Sequence, residues 1–210
     1  MEKAALFDAV VAQRQRLIGV LDGLNDEQWN AQSLCEKWRV RDVVGHLVTI
    51  LDIPVGRFLW RSFRARSYDN YAADVACEYE KQEPRNNKKN NRQLADKRIA
   101  PPIVGPIAPL ADVLIHTRDI ERPLGIPATL HPEGLRAALD YCCGGRAFGF
   151  VPGKRTKDLR FEATDMDWSA GDGALVSGTA EAILLAVTNR PIAVPDLSGD
   201  GAEMLGNRIG

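Results

Sequence analysis

Two of the chain's three histidines lie where an imidazole could do chemistry. His46 and His116 are each flanked by apolar residues in a segment of helical periodicity, so both rings are expected to face the interior. His131 instead precedes Pro132 and Glu133, a pattern typical of a helix start, with proline in the first turn and an acid at the positive end of the dipole. The first two histidines are therefore candidates for a buried site, and His131 is not expected to face inward.

Carboxylates one helical turn away accompany both of these histidines. Asp112, His116 and Asp119 follow the i, i+4, i+7 spacing of one helix face. Asp42 lies one turn before His46. Two imidazoles and one carboxylate form the ligand set of catalytic zinc sites, which keep a position open for water or substrate, and related sets hold Fe(II). The spacing alone favours hydrogen-bonded core histidines, because an Asp-x3-His pair is common by chance.

The four cysteines indicate reduced thiols. Cys142 and Cys143 are adjacent, a geometry that ordinary disulfides avoid, and the absence of a C-x-x-C pair excludes a zinc ribbon. Cys35 and Cys77 are isolated. Free thiols are typical of the cytoplasm. Cys35 precedes the helix that carries His46, and it remains a minor candidate for a catalytic thiol.

Helical periodicity predicts the elements that carry these residues. Apolar residues recur at three- and four-residue steps, which predicts helices at 4–24, 110–123 and 133–144. A further helix is predicted to start between residues 39 and 42 and to end near residue 53. Pro54 and Gly56 interrupt the second helix. An antiparallel helix bundle is the fold expected for such a set.

The pattern changes near residue 150 to that of a small α/β piece. Short alternating segments predict strands at 159–163, 166–169 and 174–177. Longer apolar segments predict helices at 178–188 and after 200. Gly171-Asp172-Gly173 is interpreted as a hairpin turn, with 174–177 pairing back. Trp168 is expected to be largely buried. The chain is therefore predicted to be mainly α, with a bundle domain at 1–150 and a small α/β domain at 151–210.

Charge and hydropathy exclude several functional classes. The 210 residues include 27 basic and 28 acidic ones, and this balance argues against binding dominated by nucleic-acid phosphates. The chain contains no apolar run of the roughly 20 residues that a membrane span needs, and its N-terminus does not resemble a signal peptide. A cytoplasmic protein without a nucleic-acid or membrane partner is expected. The most polar stretch, 72–100, is predicted to be a solvated helical arm.

Three runs of sequence, in order along the chain, carry a family resemblance. The first comprises 24–29 and then 33–47, with the sequence Ser-Leu-Cys-Glu-Lys-Trp-Arg-Val-Arg-Asp-Val-Val-Gly-His-Leu. The second covers 109–125, and the third covers 161–173 with 178–191. Together they resemble the mycothiol-dependent maleylpyruvate isomerase family of the DinB/YfiT-like metalloenzyme superfamily. The resemblance implies a DinB-like bundle followed by a domain similar to sterol carrier proteins.

The resemblance also implies a metal site. Carried onto this sequence, the family's divalent metal, commonly zinc, would be held by His46, Asp112 and His116. The family pattern resembles Glu-x3-His, whereas this chain has an aspartate one methylene shorter, so the helix must sit closer or a water must bridge. A ligating imidazole needs an acceptor for its other N–H. Asp42 and Asp119 are candidates for that role, with helix capping as an equal alternative.

The implied activity is that of a mycothiol-dependent isomerase or thiol S-transferase. A metal-bound thiolate would attack an electrophilic small molecule, and Arg118 and Arg122 are candidates to contact an anionic substrate. One alternative is a metal-hydroxide hydrolase. Another is a non-catalytic metal- or ligand-binding or regulatory protein on the same fold. The substrate and the oligomeric state do not follow from the sequence.

Overall fold

The structure is a computed structural model that describes residues 1–52, 95–101, 104–128, 130–145, 147 and 151–209, without the side chains of 49–52. Its helices are α1 (Lys3–Gly23), α2 (Asp26–Asn30), α3 (Val40–Asp52), α4 (Ile107–Glu121), α5 (Pro132–Cys143), α6 (Gly153–Thr156), α7 (Ala180–Val187) and α8 (Asp200–Gly206), with a 3-10 helix at Pro191–Asp196. The strands are β1 (Leu159–Ala163), β2 (Ser169–Gly171) and β3 (Ala174–Gly178). The mainly helical class with a small sheet is confirmed. Most of the predicted polar arm at 72–100 lies outside the described residues.

Helices α1 and α3 form where the apolar periodicity predicts them. α1 buries Val10, Leu17 and Leu21 on one stripe. α2 was missed by the sequence analysis, although its capping box is readable: the Asn25 side chain accepts the Gln28 N–H, and the Gln28 side chain accepts the Asn25 N–H. These caps seat the buried Trp29 in the polar connection before α3.

The two later helices of the first half begin earlier than predicted. α4 begins at Ile107 because Pro109 falls in its first turn, where the missing N–H has no intrahelical partner to lose. α5 begins at Pro132, and His131 is its N-cap: the Nδ1 of His131 accepts the Gly134 N–H at 3.4 Å. The predicted role of the His131-Pro132-Glu133 segment as a helix start is confirmed.

The sheet corrects one prediction. β1 lies in the centre, antiparallel to β2 and parallel to β3, so the order is β2-β1-β3. The predicted hairpin at Gly171–Gly173 is wrong, because β2 and β3 do not pair with each other. The segment instead crosses the start of β1, so close that a Cβ on Gly173 would lie 2.1 Å from the carbonyl oxygen of Asp158. Glycines at 171 and 173, both with positive φ, make that crossing possible.

Helix α7 is the most completely buried apolar helix next to this sheet. Its Ile183, Leu184 and Leu185 are fully buried. Trp168 is 6% exposed, as expected, and its indole N–H donates to Asp140 Oδ1 of α5 at 2.8 Å. That donor is satisfied on burial, which is the condition for placing tryptophan in a core.

The chain forms two compact units. One comprises Met1, 107–115 and 130–210, and the other comprises 2–106 and 116–129. The division falls inside α4, so this helix contributes to both units. The predicted boundary near residue 150 and the similarity of the C-terminal part to sterol carrier proteins stay predictions. Within the described part of the chain, no helix is long and apolar enough to span a membrane.

Candidate metal centre

Helices α3 and α4 bring the two inward-facing histidines together. His46 is fully buried, His116 is 6% exposed, and their ring centroids are 4.9 Å apart in an edge-to-face arrangement. Each lies on the apolar face of its helix, and this is why the periodicity could place it. The convergence joins residues 70 positions apart in the sequence.

Asp112 completes a three-ligand group. It lies one turn before His116 on α4 and is buried. The ligand atoms of His46, Asp112 and His116 all lie within 4.8 Å of one another. Ligand atoms around tetrahedral zinc are about 3.3 Å apart, given bonds of about 2.0–2.1 Å. Small side-chain rotations would therefore suffice, and two imidazoles with one carboxylate fit a divalent cation that keeps a fourth position for another ligand.

Asp119 holds the His116 ring from its other side. The Nδ1 of His116 lies 2.8 Å from Oδ2 of Asp119, a carboxylate that is fully buried. Since a carboxylate is an acceptor, this contact favours the tautomer with a proton on Nδ1. The Nε2 atom is then the one with a lone pair for a cation. The structure thus places Asp119 where a carboxylate would orient a ligating imidazole.

Trp38 is a neighbour of both imidazoles that the sequence analysis did not single out. Its ring centroid lies 5.1 Å from that of His46 and 6.0 Å from that of His116. The tryptophan is half-buried, and its apolar ring borders both imidazoles. The only available signal was an aromatic residue eight positions before His46, which is too common to carry a prediction.

The loop that presents Trp38 is held by its own hydrogen bonds. The Gln32 side-chain amide donates to the carbonyls of Cys35 and Trp38 at 2.7 and 2.8 Å. The Ser33 hydroxyl donates to the Trp38 carbonyl at 2.6 Å, and Gln32 and Arg39 form a β-bridge that closes the loop. These bonds satisfy backbone groups that a regular element would otherwise pair. Hydrogen bonds among residues 32–39 therefore help to order the loop.

Cys35 lies in the same loop and contacts Asp119, the carboxylate that pairs with His116. Its Sγ lies 3.1 Å from Asp119 Oδ2, and Cys35, His116 and Asp119 form a second group with mutually close ligand atoms. Within this group the spacings of 2.8 and 3.1 Å are those of hydrogen bonds. The group therefore already has polar contacts among its own members.

The remaining predicted candidates are engaged elsewhere. The Asp42 carboxylate accepts the Arg39 N–H at 2.8 Å, which is the helix-start role that the sequence left as an alternative. Arg118 donates to Glu121 Oε2 at 2.7 Å and to the Ile126 carbonyl at 3.2 Å. Both members of the Arg118–Glu121 ion pair are buried. A direct contact of Arg118 with an anionic substrate, like a contact of Asp42 with His46, stays a prediction.

Comparison with known proteins shows a family likeness in the N-terminal part of the chain. Residues 10–100 match the family model described as the mycothiol maleylpyruvate isomerase N-terminal domain. The match covers 91 of the 210 residues, so it assigns the N-terminal part of the chain to this family. The matched range contains His46, Trp38 and Cys35, whereas Asp112 and His116 lie beyond it. A comparison with curated proteins found no significant match.

Two solved structures with the maleylpyruvate isomerase fold match nearly the whole chain. The crystal structures of the mycothiol-dependent maleylpyruvate isomerase and of a histidine-to-alanine mutant match with TM-scores of 0.67. Each match covers 96% of this chain and 94% of the solved chain, at 12% and 10% sequence identity. At that identity the likeness establishes the fold alone.

Proposed function

We propose that this protein is a mycothiol-dependent enzyme, an isomerase or thiol S-transferase, with a divalent cation held by His46, Asp112 and His116. The observation that carries the proposal is the convergence of two buried imidazoles and a buried carboxylate within 4.8 Å. The match of residues 10–100 to the mycothiol maleylpyruvate isomerase N-terminal domain supports mycothiol as the thiol. Zinc is the metal that this ligand set favours most.

The cation would supply Lewis acidity, which keeps a coordinated thiol deprotonated at neutral pH. The protein's own residues prepare the place for it. Asp119 orients the His116 ring through Nδ1, and the helical spacing of Asp112 and His116 aims both side chains at one point. Burial of all three ligands lowers the local dielectric, so charge interactions within the group are stronger than at the surface.

The Trp38 ring supplies the apolar boundary of the reaction site. It lies within 6.0 Å of both imidazole centroids and limits the access of water from its side. Exclusion of water favours attack by a thiol over attack by hydroxide, because the competing nucleophile is depleted. This arrangement favours thiol chemistry over the hydrolase alternative. A small electrophile, with an unsaturated or otherwise activated carbon, is the substrate class that fits.

The test combines metal analysis with a thiol-dependence assay. Purified protein is analysed for bound metals and reconstituted with Zn²⁺, and it is then incubated with maleylpyruvate or chlorodinitrobenzene, with and without mycothiol. We expect close to one metal per chain and turnover that requires mycothiol. Isomerised maleylpyruvate identifies an isomerase, and a stable conjugate identifies a transferase. Metal without turnover on either electrophile contradicts the enzymatic proposal in favour of a binding protein, and mycothiol-independent loss of an ester probe indicates a hydrolase.

A further inference from the structure

The loop between α2 and α3 contacts α4 through two hydrogen bonds at one residue, Asp119. The Leu34 N–H donates to the Asp119 carbonyl at 3.0 Å, and Cys35 Sγ lies 3.1 Å from Asp119 Oδ2. The same Oδ2 lies 2.8 Å from Nδ1 of His116. One carboxylate oxygen therefore links a thiol of the loop to an imidazole of the candidate centre.

The chemistry of the three groups sets the direction of these hydrogen bonds. An ionised carboxylate has no proton to give, so Oδ2 accepts from both neighbours, the thiol S–H and the imidazole Nδ1–H. Asp119 is fully buried, so bulk water cannot replace a lost donor. Loss of the thiol therefore changes both the position of the carboxylate and its strength as an acceptor for His116.

Hydrogen bonds within the loop also hold the backbone that carries the thiol. The carbonyl of Cys35 accepts hydrogen bonds from the Gln32 side chain at 2.7 Å and from the Trp38 N–H at 2.9 Å, and the Cys35 N–H donates to Ser33 Oγ at 3.1 Å. The backbone on which the thiol sits is thus held on both sides of the residue. A side chain held in this way can impose an orientation on its partner.

We propose that Cys35 is a positioning residue of the candidate metal centre: its S–H fixes the Asp119 carboxylate, and the carboxylate fixes the ring of His116. In this role the thiol keeps its proton and acts as a hydrogen-bond donor, which differs from the nucleophilic role considered from the sequence. The effect on a metal rests on the proposed function, whereas the effect on the His116 ring does not.

The first test observes the ring without metal. Metal-free protein labelled with ¹⁵N-histidine is examined by long-range ¹H–¹⁵N NMR, and His46→Gln and His131→Gln assign the three imidazoles. We expect His116 as the Nδ1-protonated tautomer in the unsubstituted protein, a shift towards mixed tautomers in Cys35→Ala, and return to the original signals in Cys35→Ser. Lys37→Ala is the matched control, because it shortens an exposed side chain of the same loop.

The second test measures metal affinity. Co²⁺ binding is titrated and followed by visible absorption. We expect Cys35→Ala to lower the Co²⁺ affinity roughly threefold to tenfold. This loss is at or below the lower end of the range typical for residues that hydrogen-bond to a metal ligand. Cys35→Ser should restore both the affinity and the absorption band. The proposal is overturned if the His116 signals are unchanged in Cys35→Ala, if Lys37→Ala changes them equally, or if serine fails to restore them. If the unsubstituted protein binds no Co²⁺, the proposed metal centre fails, and the histidine spectra still decide the role of Cys35.

Discussion

Each side chain of the candidate centre has a separate physical task. In the proposed centre, the two imidazoles would supply nitrogen ligands, and Asp112 would supply a carboxylate ligand. A buried carboxylate is costly unless positive charge or hydrogen-bond donors compensate it. A divalent cation would provide that compensation directly, which is why Asp112 is the residue on which metal binding should depend most.

Substitution of Asp112 tests this task. We expect Asp112→Ala to lower metal affinity roughly 100-fold or more, because loss of a direct ligand exceeds the 10–100-fold typical of outer partners. The fold should persist, since apolar neighbours such as Leu110 and Leu114 pack α4 independently of the carboxylate. Metal content after dialysis and the circular dichroism spectrum measure the two effects. His131→Ala, which removes only the N-cap of α5, should keep its metal, and equal loss in both variants would contradict the assignment.

Trp38 should affect turnover without affecting metal content. The ring contacts both imidazoles but offers no ligand atom, so Trp38→Ala admits water without removing a ligand. We expect mycothiol-dependent turnover to fall about tenfold while bound metal stays unchanged. Lys37→Ala, at the exposed neighbouring position, is the control and should retain full activity. Metal loss in Trp38→Ala would show that the ring has a structural rather than a shielding role.

At the scale of elements, local sequence signals succeed where the element is long and amphipathic. The helices that carry His46 and His116 were predicted because their apolar periodicity extends over several turns. Strand pairing was not predictable in the same way. The Gly171-Asp172-Gly173 sequence fits a hairpin locally, and the choice of β1 as the common neighbour depends on contacts between segments that are distant along the chain.

The crossing at the start of β1 yields a stability prediction. Gly173 has φ of 132°, where L-residues are strained, and its added Cβ would overlap the Asp158 carbonyl. We expect Gly173→Ala to lower the free energy of unfolding by about 3 kcal/mol, combining backbone strain with displacement of that carbonyl. Gly145→Ala is the matched control, because its φ of 72° is also positive but no atom lies within 4 Å of the added Cβ. It should cost about 1 kcal/mol in urea unfolding, and equal costs would contradict the crossing geometry.

At the scale of the whole molecule, the site gathers residues that no local pattern connects. Cys35, Trp38, His46 and the residues of α4 come together only after folding. The sequence analysis could propose His46, Asp112 and His116 together because each lies on a predicted helix and in a family-like run. It could not assign Trp38 or the link from Cys35 to Asp119, because loop geometry determines both contacts.

Stability at alkaline pH should reflect the buried groups of α5. Burial raises the pKa of the Cys142 thiol from 9.0 to about 12 and that of Tyr141 from 10.0 to about 12. Burial also raises the pKa of Cys143 well above its ordinary value. In the unfolded chain Cys142 and Tyr141 lose their protons from about pH 9 upwards, whereas the folded state retains these two protons until about pH 12. The folded state then binds more protons, so its stability is complete below pH 9 and declines between pH 9 and 12.

Urea unfolding followed by circular dichroism measures this decline. We expect the unfolding midpoint to be nearly constant from pH 7 to 8.5 and to fall steadily from pH 9 to 10.5. Cys142→Val keeps an apolar side chain at this buried position but removes one titrating group, so its midpoint should fall less steeply over the same interval. Comparison of the two slopes cancels the contribution of surface lysines, which is common to both proteins. Identical slopes would contradict a contribution of the Cys142 thiol to stability, because a group that titrates alike in the folded and unfolded states adds no pH dependence.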